Sequence, residues 1–181
     1  MSNPTPVYGQ TAPPWTAGDT LFFYGGWLSN FAPTPGLRLP YGYRGHTERD
    51  KVPVQSVEHW FQACKARTRR DFDNVLACGS PGGAKRAGRA LELRPDWEQV
   101  KVEVMLCALR GKFALDPYRS GLLITHPRPL AENSPRDFVW GCRDAQGGHN
   151  GQNLLGLALM QVRVELLAGV RAQLAALTPT R

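Results

Sequence analysis

Two carboxylates in this 181-residue chain stand where a reaction could use them. Glu58 follows Ser56-Val57 and precedes Trp60 and Phe61, which places it in the first turn of a helix. Unpaired N–H groups and the helix dipole favour a negative charge there for stability alone. A carboxyl beside Trp60, Phe61 and Trp97 would equally have a raised pKa, the property an acid–base residue needs. Asp137 closes the polar run Glu132-Asn133-Ser134-Pro135-Arg136-Asp137, just before the apolar Phe138-Val139-Trp140. It reads either as a turn aspartate bonded to its own backbone or as a second carboxylate facing Glu58 across a pocket. Glycosidic bond cleavage uses such a pair.

Other residues could hold the rest of a ligand. Gly147-Gly148-His149-Asn150-Gly151-Gln152-Asn153 stands just before a helix, where backbone N–H groups can turn towards an anion. It matches neither a Walker loop nor a dinucleotide fingerprint, and a plain flexible loop is the other reading. Lys85, Arg86 and Arg89 suit phosphate or a solvated helix face. Trp97 and Trp140 could stack on a base, although Trp97 also starts the core stripe of its own helix. Four cysteines without a Cys-x-x-Cys pair and four scattered histidines imply neither disulfides nor a metal.

The elements that must position these residues follow from periodicity and caps. Leu21 to Tyr24 reads as a strand closed by Gly25-Gly26, and Val52-Pro53-Val54 as a short edge strand. Ser56 caps a helix whose Val57, Trp60, Phe61 and Cys64 form one face, with Glu58, Gln62, Lys65 and Arg69 as a polar stripe. A short helix is expected over 72–78. Ser80-Pro81 opens the next, whose face of Ala84, Ala87, Gly88 and Leu91 suits close packing on a neighbour. Longer periodic stretches run from about Pro95 to Phe113 and from Asp116-Pro117 to before Pro127. Leu130-Ala131-Glu132 and Phe138-Val139-Trp140 read as short extended pieces, and Asn153 as the cap of a last helix through Leu167. The expected fold is mainly α: a single compact helical domain with a few short β-strands.

Composition sets the outer limits. An apolar fraction of 42% and a charged fraction of 20% belong to an ordinary globular chain. The formal charge of +7 favours anionic partners and says nothing about fold. Residues 1–19 carry neither a basic start nor an apolar core segment, so a loose tail and a cytoplasmic location without a membrane span are expected. The folded domain is placed over residues 20–170, and a helix end and tail over 171–181.

Taken together, these segments resemble the NADAR, or YbiA-like, family of N-glycosidases. The resemblance rests on Leu28-Ser29-Asn30-Phe31, Ser56-Val57-Glu58-His59-Trp60-Phe61-Gln62-Ala63-Cys64-Lys65, Ser80-Pro81 with Ala84-Lys85 and Gly88-Arg89, and Asp96-Trp97. It continues through Lys112-Phe113, Leu130-Ala131-Glu132, Asp137, Trp140-Gly141, Asn150 and Asn153-Leu154-Leu155-Gly156. The N-terminal tail and residues 44–51 stand apart from it. The resemblance implies hydrolysis of an N-glycosidic bond to ribose, with Glu58, Asp137 and Trp97 as catalytic positions and no cofactor. It implies substrate contacts from Asn30, Lys65, Lys85, Trp140, Gly148, Asn150 and Asn153. Family substrates are ADP-ribosylated nucleobases, including guanine in DNA, and phosphorylated ribosylamino-pyrimidine intermediates of riboflavin synthesis. A non-catalytic ADP-ribose-binding module is the reading from another class.

Overall fold

The computed structural model describes residues 14–42, 50–145 and 148–177. The tail before residue 14, residues 43–49, residues 146–147 and the last four residues lie outside that description, and with them Gly147 of the glycine-rich stretch. Strands β1 (Trp15–Ala17), β2 (Thr20–Phe23) and β5 (Leu130–Glu132) form one sheet, with β1–β2 antiparallel and β2–β5 parallel. Between β2 and β5 run β3 (Arg38–Pro40), β4 (Lys51–Pro53) and helices α1 (Val57–Ala63), α2 (Arg69–Leu76), α3 (Pro81–Arg89), α4 (Trp97–Phe113) and α5 (Tyr118–Ile124). A hairpin of β6 (Arg143–Ala145) and β7 (Gly148–Asn150) then leads to α6 (Leu154–Leu177). The mainly helical fold with small sheets agrees with the pattern of caps and periods.

Helix α1 is the centre of the molecule. Ser56 caps it through its Oγ, which accepts the His59 amide, and the Glu58 amide is taken by the Asn30 carbonyl at 2.8 Å. Every residue of α1 is buried, so Glu58 and Gln62 of the polar stripe turn inward. Trp60 is fully buried, and its indole N–H reaches the Pro40 carbonyl at 2.7 Å, giving a large apolar body and a satisfied polar tip. His59 is also buried. Its Nε2 lies 3.0 Å from the Cys78 carbonyl, which can only accept, so Nε2 carries the proton and Nδ1 takes the Ser56 hydroxyl. Burial lowers the His59 pKa and keeps the ring neutral.

Several boundaries differ from those read locally. Helix α1 ends at Ala63, so Lys65 and Arg69 are not on it, and α2 begins at Arg69 under a Thr68 cap rather than at residue 72. Trp15–Ala17 forms a strand inside the stretch read as tail, and Trp15 stacks on Phe22 at 5.9 Å. Phe138-Val139-Trp140 is a turn, because Asp137 caps it before a strand can form. The last helix continues ten residues past Leu167 to Leu177, since nothing between Leu167 and Leu177 breaks it except the tolerated Gly169.

Lys112 is the least expected member of the core. It is wholly buried on α4, its ammonium donates to the Ser29 carbonyl at 2.7 Å, and it faces the rings of Phe113 and Tyr118. Burial pushes its pKa down to about 7 from 10.5. Between those values the native chain binds fewer protons than the unfolded one, so this group's contribution to stability rises with pH. Urea melts between about pH 7 and 8.5 should show the wild type gaining up to about 1.4 kcal/mol per pH unit relative to Lys112→Met. Parallel profiles for the two proteins would contradict a buried, titrating ammonium.

Candidate active site

Helices α1 and α3, the end of β5 and the loops after β2 and β5 enclose a cavity of about 550 Å³. That is within the range of small-molecule sites. Glu58 forms part of its wall and is 2% exposed. Asn30 Nδ2 donates to Glu58 Oε2 at 2.5 Å, and Gln62 Nε2 donates to Oε1 at 2.8 Å. Burial raises the pKa of Glu58, while the Gln62 donor and the charges of Lys85 and Lys65 oppose the rise and Asp137 adds to it. Both oxygens accept an amide N–H and neither amide nitrogen offers a lone pair to a carboxyl proton, so the geometry suits the anion. The helix supplies the position and the loop after β2 supplies the donor.

Gln62 is itself held by a glycine. A Cβ on Gly88 of α3 would lie 2.2 Å from Gln62 Oε1 and 2.8 Å from Gln62 Cβ. The small-residue face of α3 therefore packs on α1 as the sequence suggests, and its close approach fixes the amide that orients Glu58. Gln62 Oε1 has no hydrogen-bond partner.

Asp137 makes the backbone-bonded turn expected of it and also lines the cavity that Glu58 walls. Its Oδ1 accepts the amides of Val139 at 3.2 Å and Trp140 at 3.0 Å, while Oδ2 faces Lys85 Nζ at 3.7 Å across the cavity. Lys85 also lies over the Phe31 ring. Lys65 reaches the same cavity with its ammonium 5.6 Å from the Phe61 ring centre and 5.5 Å from that of Trp97. Burial lowers the Lys65 pKa, and Glu58 raises it in opposition. Trp140 lines the cavity edge-on to Phe61, ring centres 5.1 Å apart.

Glu132 is a third carboxyl in this cavity, and the local reading treated it only as the end of a strand. It sits opposite Phe23 in the β2–β5 register. Its amide donates to Asn153 Oδ1 at 3.1 Å, and its carbonyl accepts the amides of Cys142 at 2.8 Å and Ser134 at 2.9 Å. Burial raises its pKa to about 7, with Asp137 and Glu58 adding and Lys85 opposing. The available signal was an acidic residue closing an apolar run, five positions before Asp137. Gly141 is what allows this loop to fold so tightly: a Cβ there would lie 2.9 Å from both the Glu132 and Asp137 carbonyl oxygens.

Six expected site residues thus meet around one cavity: Glu58, Asp137, Asn30, Lys65, Lys85 and Trp140. Four do not line it. Trp97 lies one layer back, 5% exposed and edge-on to Phe61 at 5.1 Å, so its periodic position in the core stripe decides its place. Asn153, in the left-handed region at φ 52°, spends its side chain on β5, accepting from the Glu132 amide and donating to the Leu130 carbonyl at 2.9 Å. Gly148 and Asn150 belong to the β6–β7 hairpin, and their backbone pairs with Ala145 and Arg143 instead of forming an open anion cradle. Among the described residues no cluster of His, Cys, Asp and Glu is placed to hold a metal, and no helix is long and apolar enough to cross a membrane.

Fold and cavity together define a class of small, mainly helical proteins in which carboxyls wall a half-enclosed site and lysines overlook it. The chain belongs to the NADAR domain family, whose model matches residues 22–167. It is 34% identical over 158 residues to N-glycosidase Npun_R5314 of Nostoc punctiforme, covering 81% of this chain and 92% of that protein. N-glycosidase YbiA of Escherichia coli K12 is 41% identical over 113 residues, 60% of this chain and 68% of the relative. Riboflavin biosynthesis protein PYRR, chloroplastic, of Zea mays is 33% identical over 172 residues; the match covers 84% of this chain and 26% of that longer protein. The NMR structure of Escherichia coli YbiA is similar at a TM-score of 0.67 and 33% identity, covering 85% of this chain and 89% of that one.

Proposed function

We propose that the protein is an N-glycoside hydrolase that cleaves the bond between ribose and base in an ADP-ribosylated nucleobase, guanine in DNA, and so reverses the modification. The observation that carries the proposal is the Glu58 carboxylate, buried in the cavity wall with both oxygens gripped by amides. Loss of a base from C1′ builds positive charge on the sugar, and a preorganised anion stabilises that charge without reorganising as it forms. Lys65 and Lys85 neutralise phosphate on the substrate, and Trp140 gives the base an aromatic wall. Hydrolase activity on N-glycosyl compounds accords with the names of the Nostoc and Escherichia relatives.

A second substrate is favoured by a specific observation. Relatives from Zea mays and Vibrio vulnificus are named as riboflavin biosynthesis proteins. A phosphorylated ribosylamino-pyrimidine intermediate of that synthesis presents the same N-ribosyl bond and an anion for the same lysines. The deciding experiment offers both substrates to the purified protein and follows release of free ADP-ribose, guanine or ribose phosphate. Release from the modified DNA alone supports the first substrate, and release from the pyrimidine intermediate alone replaces it by the second. Binding of ADP-ribose with no turnover of either would leave a reader module in place of a hydrolase.

A further inference from the structure

Three carboxyls share the cavity, and their hydrogen bonds divide the work among them. Glu58 has both oxygens occupied by the amides of Asn30 and Gln62. Asp137 has Oδ1 occupied by two backbone amides and Oδ2 turned to Lys85. The Glu132 carboxyl makes no hydrogen bond to a side chain or backbone among the described residues, although three backbone bonds lock the peptide groups that carry it. It is the cavity carboxyl free to exchange a proton with whatever the cavity holds.

We propose that Glu132, rather than Asp137, is the acid–base residue of this site: its carboxyl protonates the departing base nitrogen and its carboxylate then takes a proton from water. This rests on the hydrolase reading above. As the C1′–N bond breaks, its electron pair stays on nitrogen and collects the Glu132 proton. Water adds to C1′ through oxygen, and its surplus proton returns to Glu132, so the residue ends as it began and water is consumed once. Glu58 remains an anion throughout. The groups around Glu132 fit a carboxyl that is protonated near neutrality. Burial and the charges of Asp137 and Glu58 disfavour its anion, and Lys85 alone is a significant counterweight. Lys65, Arg89 and Arg136 line the same cavity, and the elements that hold the Glu132 backbone contribute the uncharged Phe23, Asn153 and Cys142. Two amide donors favour the anion of Glu58 and none meets the Glu132 carboxyl, a difference in surroundings of the kind that acid–base chemistry at neutral pH uses.

The test is a pH profile of kcat for wild type and Glu132→Gln on whichever N-ribosyl substrate the wild type cleaves. Wild-type kcat should fall as pH rises through about 7, because the acid form is the active one. Glu132→Gln should lose about 10²- to 10⁴-fold in kcat with KM little changed, and its residual rate should no longer bend there. Formate added to Glu132→Ala should restore part of the rate. A Gln variant with near wild-type kcat, or one that keeps the alkaline limb, overturns the proposal. A wild-type profile flat from about pH 6 to 8.5 overturns it even if the variants do not fold. Wild-type turnover is a separate control: its absence on both substrates removes the hydrolase reading, while Glu132 is then judged by carboxyl NMR, where titration in the ordinary range overturns its assignment.

Discussion

Replacing Glu58 by Gln is expected to lower kcat by about 10²- to 10³-fold while leaving KM nearly unchanged, the signature of an interaction made chiefly in the transition state. The substitution keeps the shape and removes the charge. It also leaves two amide donors, Asn30 and Gln62, facing a group that can accept at only one end. Gln62 can relieve the conflict by turning its amide, because its Oε1 has no partner to lose. The fold should therefore survive. It should even gain stability above the ordinary carboxylate range, because burial raises the Glu58 pKa. With a raised folded pKa the native state binds more protons than the unfolded chain, so Glu58 costs stability as pH rises through that value. The Gln variant should thus melt no lower than wild type at pH 7 and lose its advantage in acid. Full activity in Glu58→Gln would end its catalytic assignment; a collapsed melting temperature would mean that its role is structural.

The second large effect is expected from Gly88→Ala, which touches no substrate. A methyl group there meets Gln62 at its Cβ as well as its amide oxygen, so a rotation of the Gln62 amide cannot clear it. Either α1 and α3 separate or Gln62 leaves its place, at a cost of about 1–3 kcal/mol. Where Gln62 leaves its place, Glu58 loses the donor that favours its anion, and its pKa moves further up. Activity at neutral pH should fall, with the acid limb of the kcat profile displaced to higher pH. Gly169→Ala is the matching control, since a Cβ there meets nothing within 4 Å and helix propensity improves by up to about 1 kcal/mol. If Gly88→Ala melts with the wild type and keeps its acid limb, then Gln62 does not set the state of Glu58.

Much of this site was legible locally because local rules govern its parts. The Ser56 and Ser80 caps, the period of Val57, Trp60 and Phe61, and the small face of α3 placed Glu58, Lys85 and Gly88 on the correct elements. The same rules misled where a side chain competed with them. Phe138-Val139-Trp140 has strand-forming residues, but Asp137 takes its amides and makes a turn. Asn153 stands at a helix start, where a cap is expected, yet its side chain bonds the Glu132 amide and the Leu130 carbonyl of β5.

The sequence by itself determined the helices, their caps and the family pattern that singled out Glu58, since these depend on neighbours within a turn or two along the chain. Only the tertiary structure decided which carboxyls share a cavity and what each can do there. The parallel pairing of β2 with β5 carries Glu132 to the wall opposite α1, and no local period encodes a pairing across five intervening helices. Protonation depends on burial and on charges gathered from distant segments, so Glu132 becomes a proton carrier and Glu58 a held anion only once the fold has closed around them.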